Sequence, residues 1–147
     1  MHDAERRDWL LHRESVPLSC AAALSMAAEA ARPFLRGEAP ADEGALTDRL
    51  RLPPTQARRW VDLLAEKNLL TRTADGRLVP SKAPSAVPLS DLASLYCDQF
   101  LVPLAALSPA AASLAPGERE RLLKGLAGQS LADLALAAPP HPEGERP

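Results

Sequence analysis

Histidine and cysteine are scarce in this sequence, and their scarcity excludes several kinds of site. The 147 residues include three histidines, which lie near the chain ends, and two cysteines, Cys20 and Cys97. A structural zinc or iron–sulphur site needs about four such ligands at one point, so we predict no metal and no cofactor. We predict that the two cysteines are buried thiols, with a disulfide or a redox switch as the alternative.

A catalytic pattern and a long apolar run are also missing. No histidine lies in the body of the chain to serve as a base, and the seven glycines are scattered, so we predict neither a catalytic triad nor a phosphate-binding loop. No segment reaches the ~18–20 apolar residues that cross a membrane. We therefore expect a cytosolic protein that is not an enzyme and does not insert into a membrane.

Aromatic residues make up only 3% of the chain, and Ala and Leu dominate the apolar residues. An interior of this kind suits closely packed helices, so we predict a mostly α-helical fold. The first predicted helix runs from Leu18 to Arg32 and closes near Pro33. A short second helix carries an apolar stripe and stops at Pro53-Pro54, because proline is tolerated at a helix start and poorly inside.

The third predicted helix, Thr55 to Lys67, has the clearest pattern. Its apolar residues recur at the helical positions i, i+3, i+4, i+7 and i+8: Ala57, Trp60, Val61, Leu64 and Ala65. Asn68 follows at the position of a left-handed cap. Asp75-Gly76 then separates two strand-like runs and predicts a tight hairpin whose two central residues have positive φ. This order predicts a winged helix-turn-helix with a small β-hairpin wing.

Additional C-terminal helices are predicted after the wing. Ser90 is the expected cap of a fourth helix, a fifth runs from Gly117 to Ala127, and Ser130 is the expected cap of a sixth from Leu131 to Ala137. The predicted organisation is an N-terminal extension (1–17), a winged-helix domain (18–87), a C-terminal helical extension suited to dimerisation (88–138) and a disordered tail (139–147).

Double-stranded DNA is the partner that such a fold favours, because the second helix of the motif enters the major groove. The whole chain has a net charge of −2, but the balance between Asp48 and Lys82 is positive. Glutamine and arginine can read adenine and guanine edges. The predicted DNA-binding residues are Thr55, Gln56, Arg58, Arg59, Arg72, Arg77 and Lys82.

Two features favour a protein partner instead. Asp62 and Glu66 share the exposed face with Arg59, where phosphate would meet them unfavourably, and Leu63 is predicted to be exposed. The residues predicted to form a homodimer or partner interface are Leu92, Leu95, Tyr96 and Phe100. The alternative for these four is that their helix folds back over the first helix. A winged-helix interaction module without DNA binding therefore remains the second hypothesis.

The central part of the chain resembles two bacterial families, through the run LTDRLRLPPTQARRWVDLLAEKNLLTRTADGRLVP and the VPLSDLASLY after it. One comprises small winged-helix regulators that include redox and iron–sulphur sensors. This chain lacks the cysteine trio that their cluster-binding members carry after the wing, having only Cys97 there. The other is the cytosolic C-terminal domain of YihY/BrkB-type membrane proteins, matched at Asp75-Gly76-Arg77 and Val87 to Tyr96. The first resemblance implies a transcriptional regulator and the second a detached module.

Overall fold

The first helix, α1 (Cys20–Arg36), is rich in alanine and lies at the centre of the fold. The computed structural model describes residues 18–101 and 109–137, and the predictions for 1–17 and 139–147 lie outside these ranges. The prediction that α1 closes near Pro33 is wrong. Pro33 lies in the last turn, and the helix ends where Gly37 adopts a left-handed conformation with φ 70°, because only there do capping hydrogen bonds replace the helical ones.

The helix-turn-helix consists of α2 (Glu43–Arg49) and α3 (Pro54–Glu66). The side chain of Asp42 caps α2 by accepting a hydrogen bond from the Ala45 N–H. In the turn between the helices Arg51 has φ 56°, which reverses the chain within a few residues. Pro54 occupies the first turn of α3, as its missing N–H allows, so the predicted separation of the two helices at the proline pair is confirmed.

The wing is a three-stranded antiparallel sheet with the order β1 (Ala41–Asp42), β3 (Arg77–Pro80) and β2 (Leu70–Arg72). The hairpin of β2 and β3 was predicted, but β1 was not, since two residues carry no alternating pattern. Asn68 is left-handed as predicted, with φ 59°.

The wing turn differs from the predicted tight hairpin. Gly76 has φ 82°. Arg51 and Asn68 are the only non-glycine residues of the described ranges with positive φ, so the φ of Asp75 is negative. The Thr73 N–H donates to the Arg77 carbonyl at 2.8 Å, and the Gly76 N–H donates to the Thr73 carbonyl at 3.1 Å. The connection therefore has four residues, 73–76, and needs positive φ only at its glycine.

After a 3₁₀ turn (Pro84–Ala86) the chain forms α4 (Leu89–Tyr96), which continues into a π-helical turn (Cys97–Leu101). Next come α5 (Pro109–Gly125) and α6 (Leu131–Leu136). Pro88 precedes α4 without a side-chain cap, so the predicted Ser90 cap is wrong; α5 also begins earlier than the predicted Gly117. The predicted cap of α6 is confirmed, because the Ser130 hydroxyl and the Asp133 carboxylate form reciprocal capping hydrogen bonds.

One hydrophobic core joins all these elements, with Trp60 of α3 at its centre. The Trp60 indole N–H donates to the Ala23 carbonyl of α1 at 2.9 Å, and its ring meets Tyr96 and Phe100 edge-on at 6.3 and 6.2 Å. Leu131 of α6 is buried in the same core. The described parts of the predicted ranges 18–87 and 88–138 therefore share a single interior, and the architecture is a winged helix with extra helices packed onto it.

No helix within the described ranges combines the length and apolar character that crossing a bilayer demands.

Because α6 packs into the core, we predict that substituting two of its leucines changes the free energy of unfolding by very different amounts. Leu131 is buried, whereas Leu136 is 54% exposed. We expect Leu131→Ala to lower the free energy of unfolding by about 2–4 kcal/mol, because it removes buried methyl groups and leaves a cavity. Leu136→Ala should change it by less than about 0.5 kcal/mol. Urea denaturation followed by circular dichroism measures both, and equal shifts would contradict the shared core.

Candidate nucleic-acid interface

The start of α2, the start of α3 and the wing turn enclose an open groove of about 640 Å³. Its walls carry the carboxylates of Asp42, Glu43 and Asp48 on one side and the side chain of Arg58 on the other, and Gly76 of the wing turn closes one end. The exposed residues of α3 therefore share one surface with the wing, as reading DNA by this fold requires.

Four of the predicted DNA-binding residues are exposed in the structure: Thr55, Arg58, Arg59 and Lys82. Thr55 and Arg58 lie one helical turn apart at the start of α3, so they share a face. Within the described residues, neither Arg58 nor Lys82 has an ion-pair partner. Their charges are therefore available to an anionic partner.

Gln56 is placed differently from its prediction. It is half-buried, and its side-chain oxygen accepts a hydrogen bond from the Leu18 N–H at 2.6 Å. The Leu18 carbonyl in turn accepts from the Tyr96 hydroxyl at 2.7 Å. Gln56 therefore anchors the chain just before α1, and its predicted role as a base or backbone reader stays a prediction.

Arg59 is exposed, but its guanidinium is held by the π-helical turn. Its Nη2 donates to the Gln99 carbonyl at 2.9 Å, and its Cζ lies 4.7 Å from the centre of the Phe100 ring. A cation over an aromatic face is stabilised by the ring's quadrupole. Arg59 thus links α3 to the segment after α4, a role that sequence spacing could not reveal because the partners are 40 residues apart.

Arg72 and Arg77, the two predicted wing arginines, also have partners inside the protein. Arg72 forms ion pairs with Glu43 and Asp62. Hydrogen bonding to Glu43 is the main reason that the pKa of its guanidinium is raised. Arg77 donates to the Pro40 carbonyl at 2.7 Å and pairs with Asp75 at 3.3 Å. Both side chains are therefore engaged within the protein, and their predicted contacts with DNA stay predictions.

Asp62, Leu63 and Glu66 were the residues of α3 expected to disfavour DNA binding, and the structure places the three differently from one another. Asp62 is paired with Arg72, so its charge is partly neutralised. Leu63 is half-buried and packs against the core, which corrects the prediction that it is exposed. Glu66 is exposed as predicted, but it lies in the last turn of α3, away from the helix start that carries Thr55.

The predicted dimer interface is largely interior. Leu92, Tyr96 and Phe100 are buried, and Leu95 is half-buried against the same core. Tyr96 and Phe100 stack at 5.2 Å, next to Trp60. The alternative, in which this helix folds back over α1, is the one observed: α4 packs against α1, and the Tyr96 hydroxyl donates to the Leu18 carbonyl just before α1. These four residues are therefore not a free partner surface.

Cys20 and Cys97 are free thiols, one half-buried and one buried. Burial raises the pKa of Cys20 to about 11, and the neighbouring Cys97 thiol adds to the rise. Burial also raises the pKa of Cys97. A neutral thiol is a poor nucleophile and a poor metal ligand. The residues that the structure describes contain no group of three or more potential metal ligands.

The same fold occurs in a solved structure, that of CymR from B. subtilis, described as a global cysteine regulator. The likeness has a TM-score of 0.58, covers 84% of this chain and 98% of CymR, and includes 19% identical residues. At this identity it shows the fold alone. No protein-family model matches the chain, and no curated protein matches it either. The chain thus has the fold of the winged helix-turn-helix proteins, and the resemblance to YihY/BrkB-type domains stays a prediction.

The raised thiol pKa predicts slow alkylation of the folded protein. With a pKa of about 11 in place of 9.0, Cys20 has about a hundredfold less thiolate at pH 8 than an unshifted thiol. In a Cys97→Ala variant, which leaves Cys20 as the sole thiol, iodoacetamide alkylation should still accelerate about ninefold between pH 9 and pH 10, whereas a thiol of pKa 9.0 would gain less than about twofold. Mass spectrometry measures the rate, and urea-unfolded protein is the control. A rate in the folded protein that levels off between pH 9 and pH 10 would disprove the shift.

Proposed function

We propose that this protein is a winged-helix DNA-binding protein that acts as a transcriptional regulator and works as a dimer. Helix α3 is the helix that enters the major groove, and the wing lies against the adjacent backbone. The partner is double-stranded DNA, bound first through its phosphates. The fold shared with CymR, a protein described as a regulator, supports this proposal.

The observation that carries the proposal is the placement of Arg58. It is exposed in the first turns of α3, on the same face as Thr55 and beside the groove that reaches the wing turn. In helix-turn-helix proteins the N-terminal residues of this helix approach the base edges. An unpaired guanidinium here can bind a phosphate or a guanine edge.

The charge around α3 supports the same partner. Between residues 48 and 82 the chain has eight lysines and arginines and four aspartates and glutamates. Besides Arg58 and Lys82, the exposed basic residues include Arg51 in the turn before α3. Neutralising phosphates with such residues releases counterions and supplies most non-specific affinity. We infer that Arg51, Arg58 and Lys82 supply this contribution, while Arg59 and Arg72 act mainly within the protein.

Dimerisation is assigned to α5 in this proposal, since the residues first predicted for it are buried. Leu114 of α5 is 63% exposed, the most exposed of the large apolar side chains in the described ranges. Arg119, also on α5, donates to Ser94 of α4 at 2.8 Å and to Asp98 of the π-helical turn at 2.6 Å, which holds α5 to both. Two-fold pairing through a helix outside the reading unit would place two α3 helices on successive half-sites.

A second candidate function is the binding of a protein segment. The groove beside α3 is lined by Asp42, Glu43 and Asp48. Glu43 is paired with Arg72, but Asp42 and Asp48 still outnumber the single basic residue of the lining, Arg58. A basic peptide would be attracted to this wall, whereas phosphate would be repelled by it. The two functions make opposite demands on the charge of one surface, so measuring duplex binding separates them.

Replacing Arg58 tests DNA binding directly. We expect Arg58→Gln to weaken binding of mixed-sequence duplex DNA, because one phosphate contact is lost. The slope of log K against log salt concentration should become less negative by about 0.9. Fluorescence anisotropy between 50 and about 200 mM salt measures both quantities. Arg121→Gln, which removes an exposed arginine from α5, is the matched control and should leave the slope unchanged. Failure of the wild-type protein to bind duplex at low salt would favour the protein partner.

Replacing Leu114 tests the dimer. We expect Leu114→Ser to raise the dimer dissociation constant at least about tenfold, since burying a leucine contributes about 1.5–3 kcal/mol. Sedimentation velocity over a range of protein concentrations measures this constant. Leu136→Ser changes another exposed leucine, 54% exposed on α6, and is the control. A wild-type protein that sediments as a monomer throughout would remove dimerisation from the proposal without affecting its DNA-binding part.

A further inference from the structure

Arg72, at the end of strand β2, contacts both helices of the helix-turn-helix at once. Its Nε and Nη2 donate to the two carboxylate oxygens of Glu43 on α2, at 2.7 and 3.0 Å. Its Nη1 donates to the carboxylate of Asp62 on α3. Its Nη2 also lies 3.4 Å from the Arg58 carbonyl. One guanidinium therefore joins the wing, α2 and α3, the three parts of the proposed DNA-binding surface.

The geometry of this junction depends on the shape of arginine. The Glu43 pair is bidentate, so it restricts the orientation of the guanidinium plane as well as its distance. The third contact, to Asp62, leaves from the other edge of the same plane. The side chains of Arg72 and Glu43 are 33% and 17% exposed, so water screens their contact less than that of a surface pair. A lysine has the same charge but cannot hold two carboxylates with one rigid fork.

We propose that Arg72 is a positioning residue for DNA binding, one that holds the wing at a defined distance and angle to α3. This inference rests on the proposed function. Arg72 does not bind phosphate itself, because its donors are already directed at Glu43 and Asp62. It also neutralises these two carboxylates, which would otherwise repel a DNA backbone approaching the start of α3. Arg58, whose own carbonyl lies at the junction, is the residue that makes the contact.

The charge-conserving substitution Arg72→Lys tests this inference most sharply. A residue that binds phosphate tolerates this change, because lysine also binds phosphate as a point charge. A residue whose planar guanidinium must hold two carboxylates at once does not tolerate the change to lysine. We expect Arg72→Lys, which keeps the neutralising charge, to weaken duplex binding about three- to tenfold without changing the salt slope. Arg72→Gln also leaves the carboxylates of Glu43 and Asp62 unpaired and should weaken binding further. Arg121→Lys, the same substitution at an exposed arginine of α5, is the matched control and should keep the wild-type affinity for mixed-sequence DNA.

Amide hydrogen exchange measures how firmly the wing is held in the free protein, without DNA. In Arg72→Lys, the amides of Thr71 and Val79, paired residues of β2 and β3, should exchange about fivefold faster than in the wild type, because the wing opens more easily. In Arg121→Lys they should be unchanged. Asp62→Asn, which removes one carboxylate and keeps the Glu43 pair, is the milder variant should Arg72→Lys fold poorly. It should shift exchange in the same direction.

Each outcome decides the inference. Weaker duplex binding with faster wing exchange supports it. Wild-type affinity and exchange in Arg72→Lys would overturn it, as would faster exchange with unchanged affinity, since the wing would then be held without any consequence for DNA. If the wild-type protein binds no duplex, the proposed function fails and DNA positioning fails with it, while the exchange rates still report whether Arg72 holds the wing.

Discussion

The burial of Trp60 is the interaction on which the rest of the structure depends. Its ring is fully buried and meets Tyr96 of α4 and Phe100 of the π-helical turn edge-on. Its indole N–H is satisfied by the Ala23 carbonyl, so the ring is buried without an unpaired donor. Because Trp60 is on α3, this contact fixes the orientation of the proposed reading helix. The opposite face of the same helix, with Thr55 and Arg58, is thereby turned outward.

Ion pairs and hydrogen bonds within the protein engage much of the basic charge that the sequence places near α3. Arg59 is held by the π-helical turn, Arg72 by two carboxylates and Arg77 by the β1 side of the sheet. These contacts stabilise the relative positions of helices and wing, and they leave fewer charges for a partner. The proposed DNA-binding surface is consequently small and its affinity salt-dependent, with Arg58 at its centre.

Much of the architecture was predictable because it depends on local chemistry. The periodicity of α3, the proline pair before it, the left-handed Asn68 and the Ser130 cap each act within a few residues of one another, and the structure confirms all of them. Local patterns were wrong where two signals competed. Pro33 suggested a helix end, but the capping glycine lies four residues later.

The candidate site was predictable only in part. Residue type and helical face identified Thr55 and Arg58 as exposed, since exposure on a helix follows from the apolar stripe on its other side. The partners of Gln56, Arg59 and Arg72 lie between 10 and 40 residues away in the chain, and no spacing rule relates them. Likewise, the spacing of the apolar residues in α4 is the same for a helix that faces a partner and for one that faces the core, so the sequence pattern could not distinguish the two.

The sequence by itself determined where helices and the wing form and which face of α3 is apolar, because these follow from side-chain periodicity and backbone preference over short distances. The tertiary structure decided which charged residues are free and which apolar residues are buried. Those outcomes depend on how α4 and α6 pack against α1, which brings together groups far apart in the chain. Arg72 illustrates the division: its place on a wing strand is local, and its three-way junction exists only in the folded protein.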